Sequence, residues 1–310
     1  MAAFHRINGV LLLDKPKGLS SNRALQQVRR LFGNVKGGYA GTLDPLASGL
    51  LPISLGEATK FISFFSHSRK SYEAIIKLGF SSSTGDAEGE LSKASFTAFD
   101  SSDLERLVQK FTGDLDQIPP MHSAIKINGK RLYKIAREGR VITREKRPVT
   151  IDSLKLSIME KDVLSLSVTC SKGTYIRVLG EDIARCLGTE GYLTSLRRTG
   201  IADIFVSEAL PLNNIEDIKL NLRSKLLKNI DFSLPHFPSL SLTATEEKKF
   251  MNGIVISMTA KNPQTGVISV YTHDKIFVGL ADVDDLCDLR PKRLMSQDYV
   301  ADVRRLKEVN

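Results

Sequence analysis

Apolar residues recur along this chain in runs, alternations and helical stripes that predict its elements one by one. The continuous run Val10, Leu11, Leu12 and Leu13 predicts a short buried strand over residues 9–13. The Lys-Pro-Lys-Gly that follows ends it, because Pro has no N–H for a ladder and Gly tolerates positive φ. Ser20 or Ser21 then caps a helix with Leu25, Val28, Leu31 and Phe32 on one stripe and Arg23, Arg29 and Arg30 toward solvent. Residues 71–80 alternate and are rich in Ile and aromatics, a strand that runs into the polar turn SSSTGDAEGE. Ser102 and Glu105 stand at capping-box spacing and open a helix over 103–111. Two strands, about 151–158 and 163–170, form a hairpin turning at Lys161 and Asp162. Thr174 caps a helix to about residue 187, on which Ile176, Leu179, Ile183 and Leu187 repeat at helical spacing.

Two segments break this regularity. Residues 36–60 hold five Gly and two Pro in 25 positions, interleaved with Leu43, Leu46, Leu50, Leu51, Ile53 and Leu55. That mixture predicts an irregular segment pinned against the interior, the kind of supported loop that carries active sites. Near 232–238 two prolines interrupt the chain, and short strand-like runs follow at 253–258, 267–271 and 276–280. The expectation is an α/β (α+β) domain over 1–235 and an all-β module over 236–310. A length of 310 residues favours the same division.

Charge narrows the partners. Lys and Arg number 44 against 35 Asp and Glu, a net charge of +9, which favours a polyanion, nucleic acid or an anionic membrane surface, over a neutral partner. Between 121 and 148 nine Lys or Arg are opposed by two Glu, with Tyr133 among them. Such a segment tracks a phosphate backbone and stacks a base, or is a solvated surface helix. Cys170, Cys186 and Cys287 form no C-x-x-C pair, and His5, His67, His122, His236 and His273 are scattered, so neither a zinc site nor a disulfide framework is expected. No apolar run reaches spanning length and the N-terminus does not read as a signal peptide, which makes the cytoplasm the expected location.

Chemistry concentrates in G-T-L-D-P-L, which puts Asp44 in a Gly-rich, Leu-flanked turn as a nucleophile, an acid or base, or only a turn-capping residue. Arg177 falls in the first turn of its helix, where a cation opposes the dipole, so an anion is expected to hold it. Tyr72 reads as a strand aromatic. No P-loop or dinucleotide fingerprint occurs; SKGT at 171–174 is not one.

The stretch GTLDPLASGLLPISLGEATKF resembles the signature of the TruB family of tRNA pseudouridine-55 synthases. It is joined in order by VLLLDKPKGLSSN, KSYEAIIKLG, STGDAEGE, QIPPMHSAIKINGKRLYKIAREG, CSKGTYIRVLGEDIARCLG and YLTSLRRTG, together most of residues 8–200. The resemblance implies a mixed sheet with flanking helices plus a small PUA-like RNA-binding β-barrel. It also implies isomerisation of one uridine in the T loop of tRNA by base flipping, without cofactor, metal or obligate protein partner. Asp44 would be the nucleophile, Arg177 the partner that keeps it ionised by lowering its pKa, and Tyr72 the aromatic on the flipped base and a candidate general base. Tyr175 and Leu196 match substrate-pocket positions, Gly41 and Thr42 lie in the same signature, and Lys15 and Pro16 match the family's D-K-P turn. Tyr39 stands where the family has a histidine that fills the vacancy left by the flipped base or contacts the displaced region. The segment 121–148 matches the region that closes over the T arm. A tRNA-folding chaperone on the same scaffold is a compatible second activity. A guide-RNA particle enzyme is disfavoured by the lack of long Lys-rich tails, and a phosphate-binding hydrolase by the lack of a GK[ST] sequence.

Overall fold

A computed structural model of the chain describes residues 7–309 apart from 97, 128, 235 and 236. His5 lies outside the described residues, as do Pro235 and His236 of the expected boundary segment. Ten strands form one mixed sheet, in the order Leu210–Pro211, Gly9–Lys15, Ser48–Leu55, Gly191–Ile201, Lys70–Leu78, Val163–Cys170, Arg147–Glu160 and Gly113–Gln117. Gly37–Tyr39 pairs beside Ser48–Leu55, and Ile204–Phe205 beside Gly191–Ile201. Most pairs are antiparallel; Ser48–Leu55 runs parallel to Gly191–Ile201, and Gly9–Lys15 parallel to Leu210–Pro211.

The run at 10–13 is apolar without alternation because both of its faces are covered. Leu11 and Leu13 enter a cluster shared with the Ser21–Leu31 and Ile176–Cys186 helices, whereas Val10 and Leu12 enter a second cluster. Lys70–Leu78 alternates because one face is open: Tyr72, Ala74, Ile76 and Leu78 are buried while Ser71, Glu73, Ile75 and Lys77 are not. Both periodicities in the sequence thus report how many faces of each strand are covered.

Several expectations change. Residues 36–60 are largely strand, Gly37–Tyr39 and Ser48–Leu55, and only the turn between them is irregular. The helix Ser101–Phe111 is capped by a box of Asp100 and Asp103, two residues earlier than the Ser102–Glu105 spacing suggests, because Asp100 accepts from both Ser102 and Asp103 N–H. Thr174 does not cap Ile176–Cys186; its hydroxyl donates to Ser171 O at 3.0 Å, and Tyr175 occupies the cap position without a side-chain bond. The first hairpin strand is longer than expected, Arg147–Glu160. The basic segment is a two-residue ladder of Lys126–Ile127 with Lys130–Arg131, then the one short helix Leu132–Arg137 and an exposed stretch into Arg147.

The C-terminal part is a five-stranded curled half-barrel, Ser239–Leu242, Gly266–Thr272, Phe277–Val283, Asp288–Leu294 and Ile256–Ser257 in spatial order. It is not all-β: the helices Ala244–Met251 and Gln297–Val309 flank it. The first opens with a Thr243–Glu246 capping box, a local signal that weak apolar periodicity leaves hard to see. The second cluster joins Val10, Leu12, Leu50, Phe61 and Phe65 to Phe250, Val270, Val278 and Leu280, so both sheets share it. Among the described residues no helix is long and apolar enough to cross a membrane.

Candidate active site

The turn between Gly37–Tyr39 and Ser48–Leu55 presents Asp44, and the neighbouring helix start fixes that turn. Ser20 caps the Ser21–Leu31 helix, which leaves the Ser21 hydroxyl free to donate to Leu43 O and accept from Leu43 N–H, each at 2.8 Å. Gly18 N–H donates to Pro45 O at 2.7 Å, and Ala47 N–H closes the turn on Asp44 O at 3.1 Å. The nucleophile candidate is thus held from both sides in sequence by backbone bonds, which leaves its carboxylate as the free end.

That carboxylate meets Arg177, whose Nη2 lies 3.0 Å from Asp44 Oδ2. Arg177 is only 4% exposed, so its guanidinium is withdrawn from solvent. Each of its nitrogens has a further partner: Nη1 donates to Thr84 O at 2.7 Å, Nη2 to His122 O at 2.8 Å, and Nε faces Asp86 Oδ2 at 3.7 Å. Asp86 is itself fixed, since its Oδ1 accepts from Thr84 Oγ1 at 2.6 Å and from Glu88 N–H at 3.0 Å. A guanidinium so tethered cannot follow a moving carboxylate, and the arrangement is preorganised.

The electrostatic balance differs from the expectation. Burial raises the Asp44 pKa above the ordinary carboxylate value, Arg177 opposes that rise, and Asp86 adds to it. The net direction is upward, so Arg177 limits the rise rather than producing a depressed value. Asp44 still presents 38% of its side chain to open space, and that space is a cavity of about 270 Å³. Tyr72, Tyr175, Leu196, Gly41, Thr42 and Arg177 line it with Asp44. Gln117, at the end of its strand, clamps Tyr175 by accepting from its N–H at 2.9 Å and donating to its carbonyl at 3.3 Å. Leu196 and Tyr72 are brought in by adjacent strands of the sheet.

Lys15 and Tyr39 lie elsewhere. Lys15 is fully buried and donates to Pro16 O at 2.8 Å and Leu19 O at 2.6 Å, closing the D-K-P turn. Burial lowers its pKa to about 8, with the Asp44 carboxylate opposing. Tyr39 is half-buried in its strand opposite Ile53, packs against the main core and does not line the cavity.

The sequence gives no separate weight to Asp86, Arg198, Lys70 or His122, yet Arg198, Lys70 and His122 line the cavity and Asp86 braces Arg177. Arg198 had a legible signal: from Leu196 onward its strand alternates, and Arg198 takes the inward parity. Asp86 had none, because an aspartate in a polar turn looks solvated until the helix arginine arrives from 91 residues further along. Among the described residues no group of three or more His, Cys, Asp or Glu is arranged to hold a metal ion.

The chain matches the TruB family pseudouridylate synthase (N terminal domain) over residues 29–176 and Pseudouridine synthase II TruB, C-terminal, over residues 238–295. It is 43% identical over 290 residues to the tRNA pseudouridine synthase B of Aromatoleum aromaticum, covering 94% of this chain and 93% of that relative. The chain belongs to the TruB family of pseudouridylate synthases. It is therefore a TruB-family isomerase. The tRNA pseudouridine synthase B of Dechloromonas aromatica is 41% identical, with 94% of this chain and 97% of the relative covered. That of Neisseria meningitidis serogroup B is 42% identical, with 94% and 95% covered. Among solved structures, a chain of a Cbf5-Nop10-Gar1 complex superposes with a TM-score of 0.68 at 20% identity, over 95% of this chain and 87% of that one. A chain of an H/ACA RNP bound to a substrate RNA containing 2'-deoxyuridine gives 0.69 at 17%, with the same coverage. These two likenesses establish the mixed α/β pseudouridine synthase fold.

Proposed function

We propose that this TruB-family enzyme converts uridine to pseudouridine at position 55 in the T loop of tRNA, with Asp44 as nucleophile. The observation that carries the proposal is the Asp44 carboxylate, 3.0 Å from a braced arginine on the floor of a cavity walled by Tyr72 and Leu196. The relatives' shared name, tRNA pseudouridine synthase B, supplies the substrate class. A uridine flipped out of the T loop stacks on Tyr72, which offsets the few kcal/mol of unstacking. An Asp44 oxygen bonds to a carbon of the nucleoside as the N1–C1′ bond breaks; the base turns, C5 bonds to C1′, and Asp44 departs as a carboxylate. The C5 proton leaves last, with Tyr72 as its acceptor. Atoms and electrons balance within the nucleoside, so the reaction calls for no cofactor.

Arg177 serves Asp44 in two ways: it keeps part of the half-buried carboxylate ionised and stabilises it again as a leaving group. The exposed basic residues of 121–148 suit the phosphates of the T arm. Their exposure also favours a tRNA-folding chaperone activity, which Asp44→Asn would leave intact. Tyr39 does not line the cavity, so filling the vacated stack is assigned to no residue here.

The test is to incubate the protein with unmodified tRNA and with an isolated T-arm hairpin and to map pseudouridine by chemical labelling. One pseudouridine at position 55 in both substrates is expected. Modification at a different position, or of full tRNA outside the T arm alone, would contradict the proposal.

A further inference from the structure

Arg198 is the largest fully buried side chain of the molecule's described residues, and the reaction outlined above gives it no part. Its position is built from three directions. It sits directly across from Tyr72 in the antiparallel pairing of Gly191–Ile201 with Lys70–Leu78, and both side chains line the cavity. Its Nε donates to Leu50 O at 2.7 Å and its Nη1 to Gly41 O at 3.0 Å. Its Nη2 lies 3.5 Å from Ala40 O, a carbonyl left over because Ala40 N–H donates to Pro52 O and Pro52 has no N–H to return. Two glycines make room for it. A Cβ on Gly41, whose φ is +68°, would stand 2.9 Å from Arg198 Nη1, and one on Gly49 would stand 2.3 Å from Arg198 O.

No carboxylate of the described residues forms an ion pair with Arg198, although a buried guanidinium ordinarily has one. Its charge is answered by three carbonyl dipoles, and Tyr72 is its neighbour across the strand pair. A cation aimed at a phenol stabilises the phenolate, and carbonyls do not compete for that role because they cannot ionise.

We propose that Arg198 is a positioning residue: it holds the Tyr72 hydroxyl in register with the Ala40 and Gly41 carbonyls that lead to the Asp44 turn, and it stabilises Tyr72 as phenolate. The proposal deepens the function above, on whose general-base assignment its kinetic part rests. In that part, Tyr72 first loses its proton to solvent, and the phenolate then takes the C5 proton of the rejoined base and returns to phenol. Burial raises the Tyr72 pKa, and Arg198 is the group that opposes the rise most strongly. The other charged or titratable groups about Tyr72 are Asp44 on its turn and Cys170 on the next strand, both of which raise it. Lys70, Lys172 and Arg177 line the same cavity. Lys70 is spoken for, since its amine donates to the carbonyls of Ser66 and Ser68.

The full chain, labelled with ¹³C at tyrosine Cζ, is titrated by NMR, with the Tyr72 resonance assigned through Tyr72→Phe. In Arg198→Met the Tyr72 dissociation constant is expected to fall about tenfold or more, and in Arg198→Lys to fall less, because the cation is kept. An unchanged Tyr72 titration in both variants would overturn the proposal. Single-turnover pseudouridine formation is followed in parallel. Arg198→Met is expected to lose on the order of 10²-fold at pH 7, less as pH rises, with Arg198→Lys partly restored. The same loss in a Tyr72→Phe background, at every pH, would mean that Arg198 acts on the fold alone and would sink the kinetic part. A wild-type chain that forms no pseudouridine, but whose Tyr72 titration still responds to Arg198, would refute the proposed function and leave the Tyr72–Arg198 linkage standing.

Discussion

Arg177 spends four contacts on being immobile, and the residue it serves is raised in pKa by the burial that makes it useful. Burial favours the neutral acid and Arg177 favours the carboxylate, so removing the guanidinium lets burial act unopposed. In Arg177→Met the Asp44 pKa therefore moves further up, and the acid limb of the single-turnover pH profile is expected to shift to higher pH. At neutral pH the rate is expected to fall on the order of 10²-fold, since positioning is lost along with charge. A profile with an unmoved acid limb would show that Asp44 ionisation is not what Arg177 governs. At this scale the sequence was half legible. Arg177 was conspicuous because it opposes its helix dipole, and Asp44 because of its Gly-Leu surroundings. Asp86 and Lys70 were not, because their burial is created by segments that meet only in the fold.

The Ser21–Leu31 helix does more than cover the sheet. Its first residue uses one hydroxyl as both donor and acceptor to Leu43, the residue before Asp44, at a buried site. Ser21→Ala leaves a buried N–H and carbonyl unpaired, which is expected to cost about 1–3 kcal/mol in denaturant unfolding and to slow the reaction without abolishing it. Unchanged stability would mean that the turn finds other partners. Elements with strong local signals were readable: the buried strand at 10–13, the amphipathic helix after Ser20 and the hairpin at 161–162 all appear. Those set by non-local pairing were not. The strand Ser48–Leu55 contains Pro52 and Gly49, which argue for a loop in isolation. It is a strand because its neighbours change just where Pro52 lacks a donor and Gly49 meets the Arg198 backbone.

Across the whole molecule, the second hydrophobic cluster unites residues from both sides of the boundary expected near 235. Val10, Leu12, Leu50, Phe61 and Phe65 are buried in the same cluster as residues of the C-terminal half-barrel. A chain cut to residues 1–234 exposes much of that surface. At about 1.5–3 kcal/mol for each large side chain uncovered, the loss is expected to lower Tm by more than about 10 °C. Calorimetry of the truncated chain checks this; an unchanged Tm would show that the half-barrel is dispensable for folding. The sequence announced two sheets through its change of pattern at 232–238, but patterning cannot say which outer faces lie against each other.

All three scales converge on one carboxylate, on a turn held by Ser21 and Gly18, balanced by Arg177 and facing a cavity of about 270 Å³. The most direct measurement is single-turnover formation of pseudouridine in unmodified tRNA by wild type and Asp44→Asn, with tRNA affinity measured alongside. The expected result is retained binding and no detectable pseudouridine from the variant, because Asn can neither attack nor leave as a carboxylate. Pseudouridine formed by Asp44→Asn at a rate near that of wild type would contradict the account.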